Sequence, residues 1–402
     1  MAYELAPEAV RATAAAGWGS RGPGGGPVDL DVHGIVGVRL LDATPADVER
    51  VARRLGAPLP AGRTLAREPE LVVRFVNRLP ASGRVHYLGA GDAGFTDDAF
   101  VLLGGGGRGG ARAVAQVPFA RLGAGCEIVC ERGLPGGVPL LLPIVNLTAL
   151  GRGWAPLHAS AFTYRGAGAL AGGWARGGKT ATLLAFMTRG ASYVGDDWVY
   201  VRGDGAEVRG LPEPLEVRDA YLDQLPELRA RVEGGMGGAS RVRARTLKLL
   251  QRAERVVPNG AGGDGGLRGR VRGALAWRLA ARVPPAALFG ADACPYAGPL
   301  HTVLLTLAHD GPDVRVRPAD AGDVARRLAL CLEHEWRELL SYYVRFRFAF
   351  PEARSELVED RERRQGEALA GALAGKRAYV VSHPSPAPVA ALFDALEPLV
   401  TR

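Results

Sequence analysis

Two periodicities run through this chain. Apolar and polar residues alternate over residues 33–41, 71–76, 85–88, 99–103, 113–119 and 126–130, the period of half-buried strands. Between the first two runs stand Thr44, Pro45 and Asp47, and Gly56 follows Leu55. That order predicts a helix with a threonine N-cap, a proline in its first turn, a capping-box-like aspartate and a glycine stop. Residues 28–150 therefore read as an N-terminal α+β domain. Its longest apolar run, 138–150, contains Pro143 and Asn146. It is too short to span a bilayer and reads as a buried strand or helix.

The pattern then changes. Residues 157–164 and 169–172 read as two strands joined by a tight turn at 165–168, residues 179–189 as a helix ended by Gly190, and 191–201 as a further strand. Residues 228–282 are irregular and hold twelve arginines and Lys248. They read as a solvated helical face beside a mobile loop, or as a basic lid over an anionic ligand. From 321 to 348, apolar Val324, Leu328, Leu330, Cys331, Leu339 and Leu340 predict helix. A charged helix at 355–373, a strand at 378–381 with His383 at its end, and a last helix to about residue 399 complete the chain. The expected organisation is a flexible leader (1–27), the α+β domain (28–150), a core with an Arg/Gly-rich insertion (151–330) and a mainly helical C-terminal segment (331–402). The class is α/β.

Composition narrows the function. A 47% hydrophobic and 23% charged chain is ordinary for a globular protein. The net charge of +8 accompanies a preference for arginine over lysine and suits an anionic ligand. No aromatic-and-basic strip or zinc-finger spacing points to nucleic acid. Cys126 and Cys130 fall on one face of a strand, alternating with Glu127 and Val129, and read as half-buried thiols. Asp97 and Asp98 read as solvated turn carboxylates. Four cysteines without a framework, and no signal-peptide pattern at the N-terminus, point to the cytoplasm. No membrane span is expected, and a homo-oligomer is left open.

The chemistry concentrates in residues 173–180, Gly173-Trp174-Ala175-Arg176-Gly177-Gly178-Lys179-Thr180, which match the phosphate-binding P-loop, or Walker A, pattern. Triphosphate oxygens need many N–H donors close together, so the backbone must curl around them, and glycines permit the curl. Lys179 can reach the β- and γ-phosphates and the Thr180 hydroxyl can bind Mg²⁺. A glycine-rich turn is the competing reading, since the chain has 56 glycines. Two facts favour the P-loop. The segment lies between a strand-like and a helix-like run, and Lys179 is one of only three lysines. Past the helix, Asp196 and Asp197 lie at a strand end, where P-loop enzymes place a carboxylate for Mg²⁺. One can hold the metal while the other accepts a proton from an attacking hydroxyl. By order alone Asp196 is the expected base and Asp197 the metal-side partner of Thr180. Trp174 and Trp198 flank the motif and are expected to pack, and Arg209 and Arg218 are candidates for phosphate contacts.

His158-Ala-Ser, the 165–168 turn, the P-loop, Thr188-Arg-Gly190 and Gly195-Asp-Asp197 together resemble the catalytic core of bacterial HPr kinase/phosphorylase, whose fold is similar to phosphoenolpyruvate carboxykinase. The resemblance spans about residues 155–220, roughly a sixth of the chain. It implies an ATP- and Mg²⁺-dependent kinase acting on a serine-type hydroxyl. By position, His158 matches the active-site histidine, Lys179 the P-loop lysine, Thr180 the metal-binding hydroxyl, and Asp196 and Asp197 the acidic pair. Arg176 stands where that family has a loop glycine. The first 150 residues and the C-terminal segment have no counterpart in the resemblance, so a peptide, a protein or a small molecule could be the acceptor. A different class of function, a nucleotide-binding regulatory or assembly protein that senses ATP without transfer, needs the loop but not a proton acceptor.

Overall fold

The computed structural model describes residues 3–4, 26–80, 83–89, 91–104, 111–235 and 280–401. The leader and the Arg/Gly-rich insertion expected from the sequence fall almost entirely outside them. The described chain is a mixed α/β fold with two large sheets and a small third one. Among the described residues no helix is long and apolar enough to cross a membrane.

The first sheet has eight strands in the order Val28–Val32, Val36–Leu41, Leu71–Val76, Cys126–Glu131, Arg112–Gln116, Phe100–Gly104, Ala93–Phe95 and His86–Leu88. The alternation expected from the sequence appears in Leu71–Val76 and through most of Cys126–Glu131, whereas Phe100–Gly104 is buried on both faces. In Cys126–Glu131, Cys126, Ile128 and Cys130 point into the core while Glu127 and Val129 do not. The two cysteines are more deeply enclosed than expected, and burial pushes both thiols up to about 12. The helix Pro45–Leu55 has its capping box, with Asp47 N donating to Thr44 Oγ1 and Thr44 N donating to Asp47. Residues 138–150 resolve as the buried helix Leu141–Gly151. Pro143 sits in its first turn, where a missing N–H costs nothing.

The second sheet runs Ala297–Pro299, Glu207–Gly210, Trp198–Arg202, Trp154–Tyr164, Ala167–Gly172, Thr302–His309, Arg377–Pro384, Arg315–Ala319, with Ser192–Gly195 also paired to Trp154–Tyr164. Ala167–Gly172, Thr302–His309 and Arg377–Pro384 are parallel neighbours. Ser192–Gly195 and Ala167–Gly172 both run antiparallel to Trp154–Tyr164, so four strands end on the same side. The expected strand over 191–201 is broken in two at Asp196 and Asp197, where Asp197 takes a left-handed φ of 64°.

The expected helix over 321–348 is also two, Ala321–Glu335 and Arg337–Ala349, meeting at the buried Trp336. Leu332, Leu339, Tyr343 and Phe346 from these helices and Trp336 between them lie in the core of the eight-stranded sheet, as do Tyr200 of the second sheet and Leu211 just past its strand Glu207–Gly210. The Tyr200 hydroxyl donates to Asn146 Oδ1 at 2.8 Å. His33 Nε2 lies 2.7 Å from the Gly210 carbonyl, which its N–H can reach as donor. The two sheets are thus joined by one core and by hydrogen bonds across it.

Candidate active site

The glycine loop leaves the carboxyl end of Ala167–Gly172 and enters the helix Lys179–Met187. Two of its glycines combine a positive φ with a close approach. Gly173 has φ 144°, and a Cβ there would stand 2.6 Å from the Thr306 carbonyl. Gly178 has φ 98°, and a Cβ would stand 2.0 Å from His383 Nε2. His383 lies near the end of Arg377–Pro384, as expected; it is buried there, and its Nε2 also lies 2.7 Å from the Gly177 carbonyl. The loop is therefore seated on the ends of the two neighbouring parallel strands. Trp174, Ala175 and Arg176 form its exposed crest, while Gly177, Gly178 and Lys179 are buried. Arg176 holds a left-handed φ of 63°, a conformation that costs a non-glycine residue about 1 kcal/mol or more. The Trp174 ring packs edge-on against His334 with centroids 5.2 Å apart.

Lys179 Nζ donates to the Gly173 and Trp174 carbonyls at 3.0 and 3.1 Å. Burial holds this amine's pKa below its usual value, against the pull of Asp196, Asp197 and Glu335. Thr180 Oγ1 donates to Asp196 Oδ2 at 3.0 Å. On its other side Asp196 accepts a short hydrogen bond from the Ser160 hydroxyl. Asp196 is buried. Burial and the neighbouring Asp197 raise its carboxyl above the usual range, although both hydroxyls and Lys179 oppose the rise.

Asp197 faces the other way. Its side chain is 52% exposed, and its Oδ1 lies 3.3 Å from His158 Nε2. Partial desolvation raises its pKa, but the hydrogen bond and charge of His158, with Lys179 and Arg282, bring it below the usual carboxylate value. His158 Nδ1 lies 2.7 Å from Glu335 Oε1. Burial disfavours the charged imidazole and Lys179 repels it, yet the two carboxylates prevail and raise its pKa to about 9. The Trp198 ring is stacked on His158, centroids 5.8 Å apart.

The structure thus brings His158, Lys179, Thr180, Asp196 and Asp197 together. Thr180 meets Asp196, whereas the order along the sequence suggests Asp197. Arg209 is engaged by Glu207 and by the His33 carbonyl at 2.9 Å. Asp97 and Asp98 are exposed, as expected, with Asp98 accepting from Thr96 Oγ1 at 2.7 Å. Three participants lie outside any motif. Ser160 falls within the His158-Ala-Ser motif without a role of its own, although strand alternation puts it on the face of His158 two residues earlier. Thr306 lies in an apolar run with no chemical mark, and Glu335 stands 177 residues from His158. Glu213 lies in a Pro-Glu-Pro loop, and burial together with Asp197 raises it to about 7.

The donors near Thr180 are oxygens, the ligands that suit Mg²⁺. Among the described residues no cluster of three or more His, Cys, Asp or Glu side chains could cage a metal. Mg²⁺ does not need such a cage, because it is commonly held by one or two protein oxygens together with water and substrate phosphates. A buried carboxylate that accepts from two hydroxyls, as Asp196 does from Ser160 and Thr180, is a fitting anchor for such an ion. No protein-family model matches the chain, and no curated protein sequence matches it.

Proposed function

We propose that the protein is an ATP- and Mg²⁺-dependent kinase that transfers the γ-phosphoryl group to the hydroxyl of a peptide, protein or small-molecule acceptor. The observation that carries this reading is the division of labour at the loop: Thr180 is tied to buried Asp196, while exposed Asp197 is backed by His158. A sensor of ATP needs the first pair only. The second pair supports transfer.

In this reading the loop N–H groups and Lys179 bind the triphosphate, and Lys179 exchanges its carbonyl partners for phosphate oxygens. Thr180 and Asp196 would hold Mg²⁺, which supplies charge neutralisation on the phosphates when bound. The order-based roles are therefore reversed, with Asp196 on the metal side and Asp197 on the acceptor side. Asp197 orients the acceptor hydroxyl. As the acceptor oxygen bonds to phosphorus and the bond to the ADP oxygen breaks, the hydroxyl proton passes to Asp197. His158, doubly hydrogen-bonded and charged, is not free to serve as a base. It keeps Asp197 ionised and aimed.

The test is ATP turnover with Mg²⁺ and sets of hydroxyl-bearing peptides, proteins and small molecules. Mg²⁺-dependent phosphorylation is expected, and Lys179→Ala should nearly abolish it, because the lysine stabilises charge on the moving group by several kcal/mol in such sites (on the order of 3 kcal/mol). A folded Lys179→Ala protein with parental turnover removes the P-loop assignment. ATP binding without turnover for any acceptor favours the sensor.

A further inference from the structure

Glu335 is the last residue of the helix Ala321–Glu335, in a part of the chain outside the kinase resemblance. It closes a three-residue line across three elements. Its Oε1 stands 2.7 Å from His158 Nδ1, and His158 Nε2 stands 3.3 Å from Asp197 Oδ1. An imidazole is fixed in its plane only when both nitrogens have partners, and the group on one nitrogen decides what the other presents. Among the described residues the charged groups facing this ring are Asp197, Glu335, Lys179 and Glu213, and of these Asp197 and Glu335 reach its nitrogens. Trp198 limits ring rotation from one side.

The position of Glu335 is itself fixed. The next residue, Trp336, is buried and its indole N–H donates to Gln365 Oε1 at 2.8 Å. Gln365 in turn donates to the Ala329 carbonyl at 2.8 Å, one turn and a half back along the Glu335 helix. The carboxylate that meets His158 therefore stands on a rigid support, not on a loop.

We infer that Glu335 is a positioning residue that holds the His158 ring through Nδ1 so that Nε2 meets Asp197, which makes the C-terminal helices a working part of the transfer site. The contact stands on geometry; its kinetic consequence rests on the kinase reading.

Two measurements on the full chain test it. The first is NMR of the ¹⁵N-histidine-labelled protein at one fixed pH, with His158 assigned by its loss in His158→Ala. A slowly exchanging Nδ1–H signal is expected in the parent. It should disappear in Glu335→Ala, shift in Glu335→Gln and persist in Asp197→Asn. The second is Mg²⁺-ATP hydrolysis with water as acceptor. Glu335→Ala should lower kcat by about 10- to 100-fold, the scale on which misplaced catalytic groups act, and leave KM for ATP within about twofold. Glu335→Gln, which keeps the shape and an acceptor oxygen, should recover part of the loss. In the His158→Ala background Glu335→Ala should cost nothing more, since a residue acting only through His158 has no further effect once His158 is gone. Losses that multiply in the double variant, or a His158 signal unchanged by Glu335→Ala, overturn the inference. If the parent hydrolyses no ATP and phosphorylates no acceptor, the kinase reading falls. The His158 signal then decides the Glu335 contact by itself.

Discussion

Asp196 and Asp197 are chain neighbours whose surroundings set them in opposite directions. Asp196 is enclosed and raised, Asp197 open and lowered. Carboxylates separated in this way usually have different tasks. Asp197→Asn should lower turnover by about 10²–10⁴-fold with ATP affinity nearly unchanged, the range for loss of a positioned base. Steady-state kinetics beside equilibrium ATP binding check this, and an unchanged rate removes Asp197 from the acceptor side. His158 gives a pH test. Its value rises from 6.5 to about 9 on folding, so the stability it contributes is complete below about pH 6.5 and is lost as pH rises through about 9. The stability gap between the parent and His158→Asn, read from urea unfolding, should therefore shrink by on the order of 1–3 kcal/mol between pH 6.5 and 10. A gap that widens over that range contradicts the charged imidazole.

At the scale of elements, the loop is shaped by strands that lie far along the chain. Gly178→Ala combines φ 98° with a 2.0 Å approach to His383 Nε2, so either the histidine or the loop must move. The variant should lose about 1–3 kcal/mol of stability and at least tenfold in ATP affinity. Calorimetric titration with ATP and thermal unfolding measure the two, and retention of both would mean that the loop is not seated as described. The elements differ in how far the sequence discloses them. Strand Leu71–Val76 and helix Pro45–Leu55 have the bounds their patterns indicate, because alternation and caps are local. The run 138–150, which forms Leu141–Gly151, reads equally as strand or helix, since a uniformly apolar run has no period to read. The break at Trp336 has no proline or glycine to announce it. It comes from tertiary packing, with the indole held by Gln365. The candidate site divides along the same line. His158, Lys179, Thr180 and the acidic pair lie on short, ordered motifs, whereas Thr306, His383 and Glu335 reach the site only because sheet order and helix packing bring them there.

At the scale of the whole molecule, the sheet of residues 28–131 and the sheet that carries the loop share a core through the C-terminal helices. Phe346 is a centre of that packing. It is buried and lies 5.4–6.0 Å from the rings of Phe100, Phe119, Tyr343 and Phe350. Phe346→Ala should destabilise the protein by about 3–5 kcal/mol. The unfolding of secondary structure and the loss of ATP binding should shift together to lower urea. If ATP binding persists at urea concentrations where the first sheet has unfolded, the two sheets do not form one cooperative unit. A shared core also explains why the site draws on the C-terminal segment: Ala321–Glu335 packs on the second sheet and ends at the site, and Arg337–Ala349 continues from there onto the first sheet. The central claim is that the glycine loop binds a triphosphate with a metal between Thr180 and Asp196. Its most direct measurement is the ATP dissociation constant of the full chain, with and without Mg²⁺, in the parent and in Asp196→Asn. Mg²⁺ should tighten ATP binding in the parent. In Asp196→Asn that tightening should fall by about tenfold or more, the scale of one charged ligand, while metal-free ATP binding holds or improves as a buried negative charge is removed. A parent that does not bind ATP, or an Asp196→Asn protein with an undiminished response to Mg²⁺, contradicts the account.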